Sequence, residues 1–278
     1  MGNKKNIIKV SSAQLPELEW YVGNKEVHLL RYYEPEPGIF IAESKNVIDI
    51  ALRQGYEPLS VVCTEKMEKD EILDRVGEAP IYVVDPEDAK KEFGYVLTGE
   101  ISCAMRRKEN FDYKKVLENA KRIVVLEDVE NPTNIGAIFR SAAAFGIDAV
   151  LLSPACVDPL YRRAMRVSVG NALLVPWAYI GSSEARWKEE GIGWLKEEGF
   201  KTVAMALRSD NIRIDDPVLK QKDRLAIIMG NEGQGLAEST INAADYVAKI
   251  PMMNGVDSLN VAVAAGLAMW EITQHRNQ

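Results

Sequence analysis

The sequence predicts an α/β fold in two parts, and three observations carry that prediction. Short apolar runs alternate with stretches of helical periodicity over residues 38–105, and the alternation resumes from residue 122. Glycines and Asp-Pro pairs stand at the junctions, where helices stop and start. Between the two stretches lies a cation-rich window, residues 106–122, with seven basic and three acidic side chains. The 278 residues are 47% hydrophobic and 27% charged, enough for a sizeable core without staples.

The elements follow in order. Residues 1–37 are an N-terminal extension with no assigned regular element: Trp20, Tyr21, Tyr32 and Tyr33 point to some packing, and Pro35 and Pro37 end any helix or strand. Gly38–Ala42 reads as a strand, and Ser44 caps a helix over 45–54 that Gly55 ends. Leu59–Cys63 and Ile81–Val84 are strands, Pro86 opens a helix, and Ile101–Met105 closes the unit. Residues 38–108 thus form a smaller α/β domain and 109–121 a linker.

The larger domain spans 122–278. Strands are expected over 123–126, 149–152, 173–175, 202–206, 224–229 and 246–250. Helices are expected over 133–145, from Asp158-Pro159 through Arg162, Arg163 and Arg166, over 182–198 with interruptions at Gly191 and Gly193, and over 258–275. Strands separated by helices imply a parallel sheet covered on both faces. Ligands then bind beyond the carboxyl ends of the strands.

Composition excludes several chemistries. Cys63, Cys103 and Cys156 are odd in number and widely spaced, so neither a disulfide framework nor a zinc site of paired cysteines is expected. His28 and His275, the two histidines, sit in no motif, so neither a His-based triad nor any metal site is expected. No apolar run reaches membrane-spanning length, and the first residues lack the apolar core of a signal peptide, so a cytoplasmic protein without membrane partners is expected. The net charge of −7 excludes a uniformly basic nucleic-acid coat.

Three loops, each after a strand, concentrate small and polar residues: 127–140, 229–235 and 250–261. Taken singly, each has a plain structural reading: Asn131 as a helix cap with Arg140 as a surface charge, Gly230–Gly235 as a tight turn, Ser258 as a cap. The glycine loop is neither a dinucleotide fingerprint nor a phosphate-binding loop, because both spacings fail.

Taken together, the segments N-P-x-N-x-G-A-I-x-R (131–140), G-N-E-G-x-G (230–235) and I-P-M-x-x-G-x-x-S-L-N-V (250–261) resemble the three motifs of the SpoU, or TrmH-like, branch of the SPOUT RNA methyltransferases, in that family's order. Residues 38–105 resemble the small L30e-like substrate-binding domain of many members. The resemblance implies a trefoil knot in the C-terminal domain, S-adenosylmethionine as cofactor, a homodimer, and methylation of a ribose 2′-hydroxyl in rRNA or tRNA. It maps cofactor contacts to Met205, Gly230, Ile250, Met252 and Leu259, and catalytic positions to Asn134, Arg140, Glu232, Ser258 and Asn260. Asn231 is a tolerated variant in that pattern.

Methyl transfer to a hydroxyl needs proton removal, in-line alignment and stabilisation of the developing oxyanion. Arg140 as a literal base is disfavoured, because deprotonating a guanidinium near pH 7 costs roughly 7 kcal/mol or more. A cationic clamp on a phosphate and the nascent alkoxide suits it better; the base is then solvent, or Arg140 with its proton drawn off by phosphate. Phosphate contacts are expected from Arg106, Arg107, Arg162, Arg163 and Arg166, the last three in an acid-free stretch, 161–176. The alternative is an RNA-binding module of this fold without turnover.

Overall fold

The computed structural model describes residues 5–13, 15–22, 38–94, 96–108, 112–208 and 211–273. His28, Tyr32, Tyr33, Pro35, Pro37 and His275 lie outside the described residues. The chain divides into two compact units: Met1–Glu109 with Leu160–Leu174, and Asn110–Pro159 with Val175–Gln278. Among the described residues, no helix is long and apolar enough to cross a membrane.

In chain order the first elements are β1 (Ile7–Lys9), a 3-10 turn (Pro16–Tyr21), β2 (Ile39–Glu43), α1 (Lys45–Arg53), β3 (Pro58–Cys63), β4 (Ile81–Val83), α2 (Pro86–Phe93) and β5 (Ile101–Arg106). Next come α3 (Tyr113–Leu117), β6 (Arg122–Leu126), α4 (Pro132–Phe145), β7 (Ala149–Leu152), α5 (Arg162–Ser168), β8 (Trp177–Tyr179), α6 (Glu184–Glu197) and β9 (Lys201–Met205). The rest are β10 (Ile212–Arg213), α7 (Pro217–Lys220), β11 (Leu225–Met229), α8 (Glu238–Ala243), β12 (Tyr246–Lys249) and α9 (Val261–Thr273).

The first unit is built on a mixed sheet of order β1-β4-β3-β5-β2, in which β5 runs antiparallel to β2 and β3. Part of the N-terminal extension belongs to it. β1 pairs with β4, and Tyr21, fully buried, places its hydroxyl 2.8 Å from both the carbonyl and the hydroxyl of Ser60. The same hydroxyl accepts from the Ala104 backbone N–H at 3.1 Å. Ser44 forms no side-chain cap and sits at φ +77°, so α1 starts without the expected capping bond. Asp85 does cap α2, accepting from the N–H groups of Glu87 (2.9 Å) and Asp88 (3.1 Å).

α5 also belongs to the first unit, and burial corrects two expected phosphate contacts. Arg162 is buried: its Nε donates to Glu43 Oε1 at 2.8 Å and its Nη1 to the Tyr21 carbonyl at 3.2 Å. Arg107 is buried too, with Nε donating to the Ile39 carbonyl at 3.2 Å. Both guanidiniums are consumed by the unit's own acceptors, which a buried cation requires. The charge pattern of 161–176 could not show this, because the balancing Glu43 lies far away in sequence.

The second unit carries a seven-stranded, all-parallel sheet of order β10-β12-β9-β11-β6-β7-β8. Its central strands, β6, β7 and β11, are apolar runs buried almost throughout, as strands covered on both faces must be. The segment expected to link the units is not a bare linker: within 112–121, α3 buries Leu117 and the turn after it buries Ala120 in this unit's core. α4 starts on Asn131, whose side chain accepts from the Thr133 N–H, and ends at Gly146 in the left-handed region.

Three further expectations change. No strand forms over 173–175: a 3-10 turn over Asn171–Leu173 runs into a turn, and the edge strand β8 follows at 177. α5 begins at Arg162 rather than at Asp158-Pro159. Gly191 and Gly193 do not interrupt α6; Gly191 is there because the Trp187 ring lies across it, leaving only 2.2 Å between a Cβ built at 191 and Trp187 Cε3. Gly191→Ala should therefore destabilise the unit by about 1–3 kcal/mol, since overpacking outweighs the gain in helix propensity. Urea denaturation read by Trp fluorescence checks this, and Gly193→Ala, with nothing near its Cβ, should be neutral or stabilising.

Candidate active site

At the carboxyl ends of β9, β11 and β12 the second unit opens a cavity of about 580 Å³. Met205, Gly230, Ile250, Met252 and Leu259, the five expected cofactor contacts, all line it, as do Glu232 and Ser258. The sequence reading missed Leu207, Gln234 and Asp257, which also line it. Their positions just after a strand, or within a glycine-rich loop, were the available signal.

One wall of the cavity is main chain, because the loop after β11 folds back on itself. A Cβ at Gly230 would sit 2.4 Å from the Gly235 carbonyl carbon and the Leu236 nitrogen, so no side chain fits there. Asn231 and Gly235 exchange backbone hydrogen bonds at 3.1 and 3.0 Å, with Gly235 at φ +71°. Asn231 organises the turn between them: its Oδ1 accepts from Gly233 N–H (2.8 Å) and Gln234 N–H (3.2 Å), and its Nδ2 donates to the Asp128 carbonyl at 2.7 Å. A side-chain amide that turns its own backbone is a common use of Asn.

The three loops are joined by one chain of side-chain hydrogen bonds. Asn134 Nδ2 donates to Glu232 Oε1 at 2.7 Å, and Asn134 Oδ1 accepts from Asn260 Nδ2 at 3.0 Å. Asn260 Oδ1 in turn accepts from the N–H groups of Ala262 (2.9 Å) and Val263 (3.3 Å). Asn260, rather than Ser258, thus caps α9; the exposed Ser258 hydroxyl donates only to Asp257, at 3.2 Å. Asn134 is buried, whereas Glu232 is exposed, and its Oε2 takes no hydrogen bond among the described residues. A second cavity, of about 650 Å³, lies between α4 and α9 and includes both Asn134 and Asn260 in its lining.

Arg140 is not brought to this cluster within one chain. It lies six residues beyond Asn134 on α4, about 9 Å along the axis and about 120° round it. Arg140 is exposed, lines neither cavity, and has no hydrogen bond or ion pair among the described residues. In the first unit, Arg106, Arg163 and Arg166 remain exposed, Arg106 with its Nε 2.7 Å from Glu57. The cysteines offer no nucleophile: all three are buried, and burial pushes Cys63 up to about 12, Cys156 up to about 11 and Cys103 higher still.

The chain is similar to several known tRNA/rRNA methyltransferases. The SpoU rRNA Methylase family model matches residues 121–270. A tRNA/rRNA methyltransferase of Mycobacterium bovis is 37% identical over 239 residues, covering 85% of this chain and 81% of that protein. The 23S rRNA (guanosine-2′-O-)-methyltransferase of Coxiella burnetii is 31% identical over 177 residues, covering 60% of this chain and 66% of that protein. The AdoMet-bound rRNA methyltransferase structure from Sinorhizobium meliloti superposes with a TM-score of 0.82 at 21% identity, covering 97% of this chain and 98% of that one. With its three motif loops gathered at one end of a parallel sheet, the chain belongs to the SpoU family of tRNA/rRNA methyltransferases.

Proposed function

We propose that the protein transfers a methyl group from S-adenosylmethionine to a ribose 2′-hydroxyl of a structured RNA, and that it does so as a homodimer. The observation that carries this reading is the Asn260–Asn134–Glu232 chain beside a backbone-walled cavity. The cavity suits the cofactor. Its volume falls in the ordinary range for small-molecule sites, about 300–1,000 Å³. Met205, Leu207, Ile250 and Leu259 supply apolar walls, and the Gly230 cradle offers main-chain polar atoms that a Cβ would cover. The family's trefoil knot goes with this reading; it is supported by β12, the last strand in sequence, lying between β9 and β10.

When bound, the cofactor supplies an electrophilic methyl group on a positively charged sulfur. The chain's residues do the rest. Glu232 holds one oxygen on Asn134 and keeps the other free to accept from a ribose hydroxyl. Ser258 and Asn260 set short polar groups at the start of α9 to hold the sugar. Arg140 clamps a phosphate and the nascent alkoxide, so that developing negative charge meets a fixed cation.

The proposed dimer gives Arg140 a place to act. α9 exposes Val263 (52%), Leu267 (45%) and Trp270 (54%), and Trp270 meets Phe145 of α4 edge-on at 5.6 Å. A contiguous apolar face of this kind is what a two-fold interface covers, and it adjoins the cavity that holds Asn134 and Asn260. We assign Arg140 to the site of the opposite protomer. Exposed Arg106, Arg163 and Arg166 give the first unit its phosphate contacts, in keeping with a role in choosing the RNA. 23S-type rRNA is the favoured substrate, on the strength of the Coxiella relative's stated activity.

Arg140→Ala should lower methyl transfer by at least about 100-fold while leaving cofactor affinity within about twofold, as for loss of a charge that acts only on the transition state. A labelled-methyl assay beside calorimetric titration measures both. Co-expressed Arg140→Ala and Asn134→Ala chains should recover roughly a quarter of wild-type activity, because half the dimers are mixed and each mixed dimer has one intact site. Absence of recovery, with mixed dimers demonstrated, refutes the shared site. For RNA binding, Arg163→Ala/Arg166→Ala should reduce the slope of log affinity against log salt by up to about 2, roughly one per lost phosphate contact. An unchanged slope removes this patch from the interface.

A further inference from the structure

We infer that Glu127 is a positioning residue that sets the shape of the 230–236 loop, and through it the affinity for the cofactor; the inference rests on the cofactor reading above. Glu127 follows β6 and is 1% exposed. Its backbone N–H donates to the Met229 carbonyl at 2.8 Å, extending the β6–β11 ladder to the residue where the loop begins. Its Oε1 accepts from the Ala237 N–H at 2.6 Å, the residue after the loop ends. One residue therefore grips both ends of a seven-residue loop.

The other carboxylate oxygen ties this grip to the core. Oε2 accepts from Thr240 Oγ1 on α8 at 2.6 Å and from Trp187 Nε1 on α6 at 2.7 Å. All three partners of the carboxylate, one backbone N–H and two side chains, are donors, matching an acceptor-only group. Burying a carboxylate carries a heavy desolvation cost unless its lone pairs are filled, and here the donors come from α6 and from the start of α8. The next residue contributes as well. Asp128 sits at φ +56°, and its carbonyl receives Nδ2 of Asn231, the second residue of the loop. Its own carboxylate is held by the Ser153 hydroxyl at 2.7 Å and lies 3.1 Å from Lys188 Nζ. The start of the loop, at Met229 and Asn231, and its end, at Ala237, are thus both fastened to Glu127-Asp128.

Glu127→Gln keeps the size but turns one acceptor into a donor, which must then face a donor from Ala237, Thr240 or Trp187. Titration calorimetry should show the S-adenosylmethionine Kd raised at least about tenfold, the loss expected of one buried charge-assisted hydrogen bond, with RNA affinity unchanged. Amide hydrogen exchange should quicken across 230–237 while β6 and β11 keep their protection. A rise of less than tenfold, or quickened exchange spread over the whole sheet, overturns the inference. If the variant does not fold, the wild type decides. Its Ala237 amide should exchange as slowly as those of β11, and exchange as fast as that of exposed Gly233 overturns the proposal. A wild type that binds no S-adenosylmethionine defeats the cofactor reading, and the Ala237 measurement still tests the anchor.

Discussion

The Asn134 side-chain amide is committed at both ends, and the geometry of the site depends on that. An amide can donate on one side and accept on the other, so Asn134 is matched to an acceptor in the second loop and a donor in the third. A carboxylate at 134 would repel Glu232, and an apolar residue would remove the side-chain bond from the first loop to the third. The amide is buried while its partners are exposed, so the bond network is fixed from the inside and read from the outside. Because Asn260 also caps α9, the placement of a whole helix depends on the same chain of bonds.

Electrostatics follows a similar economy. The net charge is −4 over residues 1–116 and −3 over 117–278, so neither part is basic as a whole. RNA affinity must come from a few local cations, and the fold reduces that number further by burying Arg107 and Arg162. Those two do different work. Arg162 neutralises Glu43, a buried carboxylate at the end of β2, at 2.7 Å, with exposed Arg166 as a second cation 3.9 Å away. The cations left at the surface are those with solvent on one side, where counterion release favours phosphate binding.

Much of this was legible in the sequence. The parallel sheet followed from apolar runs separated by helical stretches, and the cavity-lining residues from motif positions. The misread features have physical causes. Ser258 and Asn260 are both good caps at nearly the same place; only the three-dimensional position of Asn134 selects Asn260. Gly191 reads as a helix breaker until the Trp187 ring is found lying over it. The burial of Arg107 and Arg162 rests on acceptors distant in sequence. Segment 160–174 lies in the middle of the larger domain's sequence yet folds with the first unit, and no local pattern encodes that. Glu127 carries no motif signal: an acidic residue after an apolar strand reads as a surface loop.

The site divides into groups that are fixed and one that is not. Asn134, Glu232, Asn260 and the 230–236 loop are held by bonds within the chain, so their dipoles need no rearrangement when a ligand arrives; such preorganisation is the largest electrostatic contribution to most catalysis. Arg140 is the reverse, an exposed cation with no hydrogen-bond or ion-pair partner among the described residues. Ordering its side chain costs up to about 2 kcal/mol, and that cost is met only when something is bound to order it. A phosphate delivered with the RNA is such a ligand. On the proposed reading, the charge at Arg140 is assembled together with the substrate, and the preformed Asn134–Glu232–Asn260 cluster waits for it.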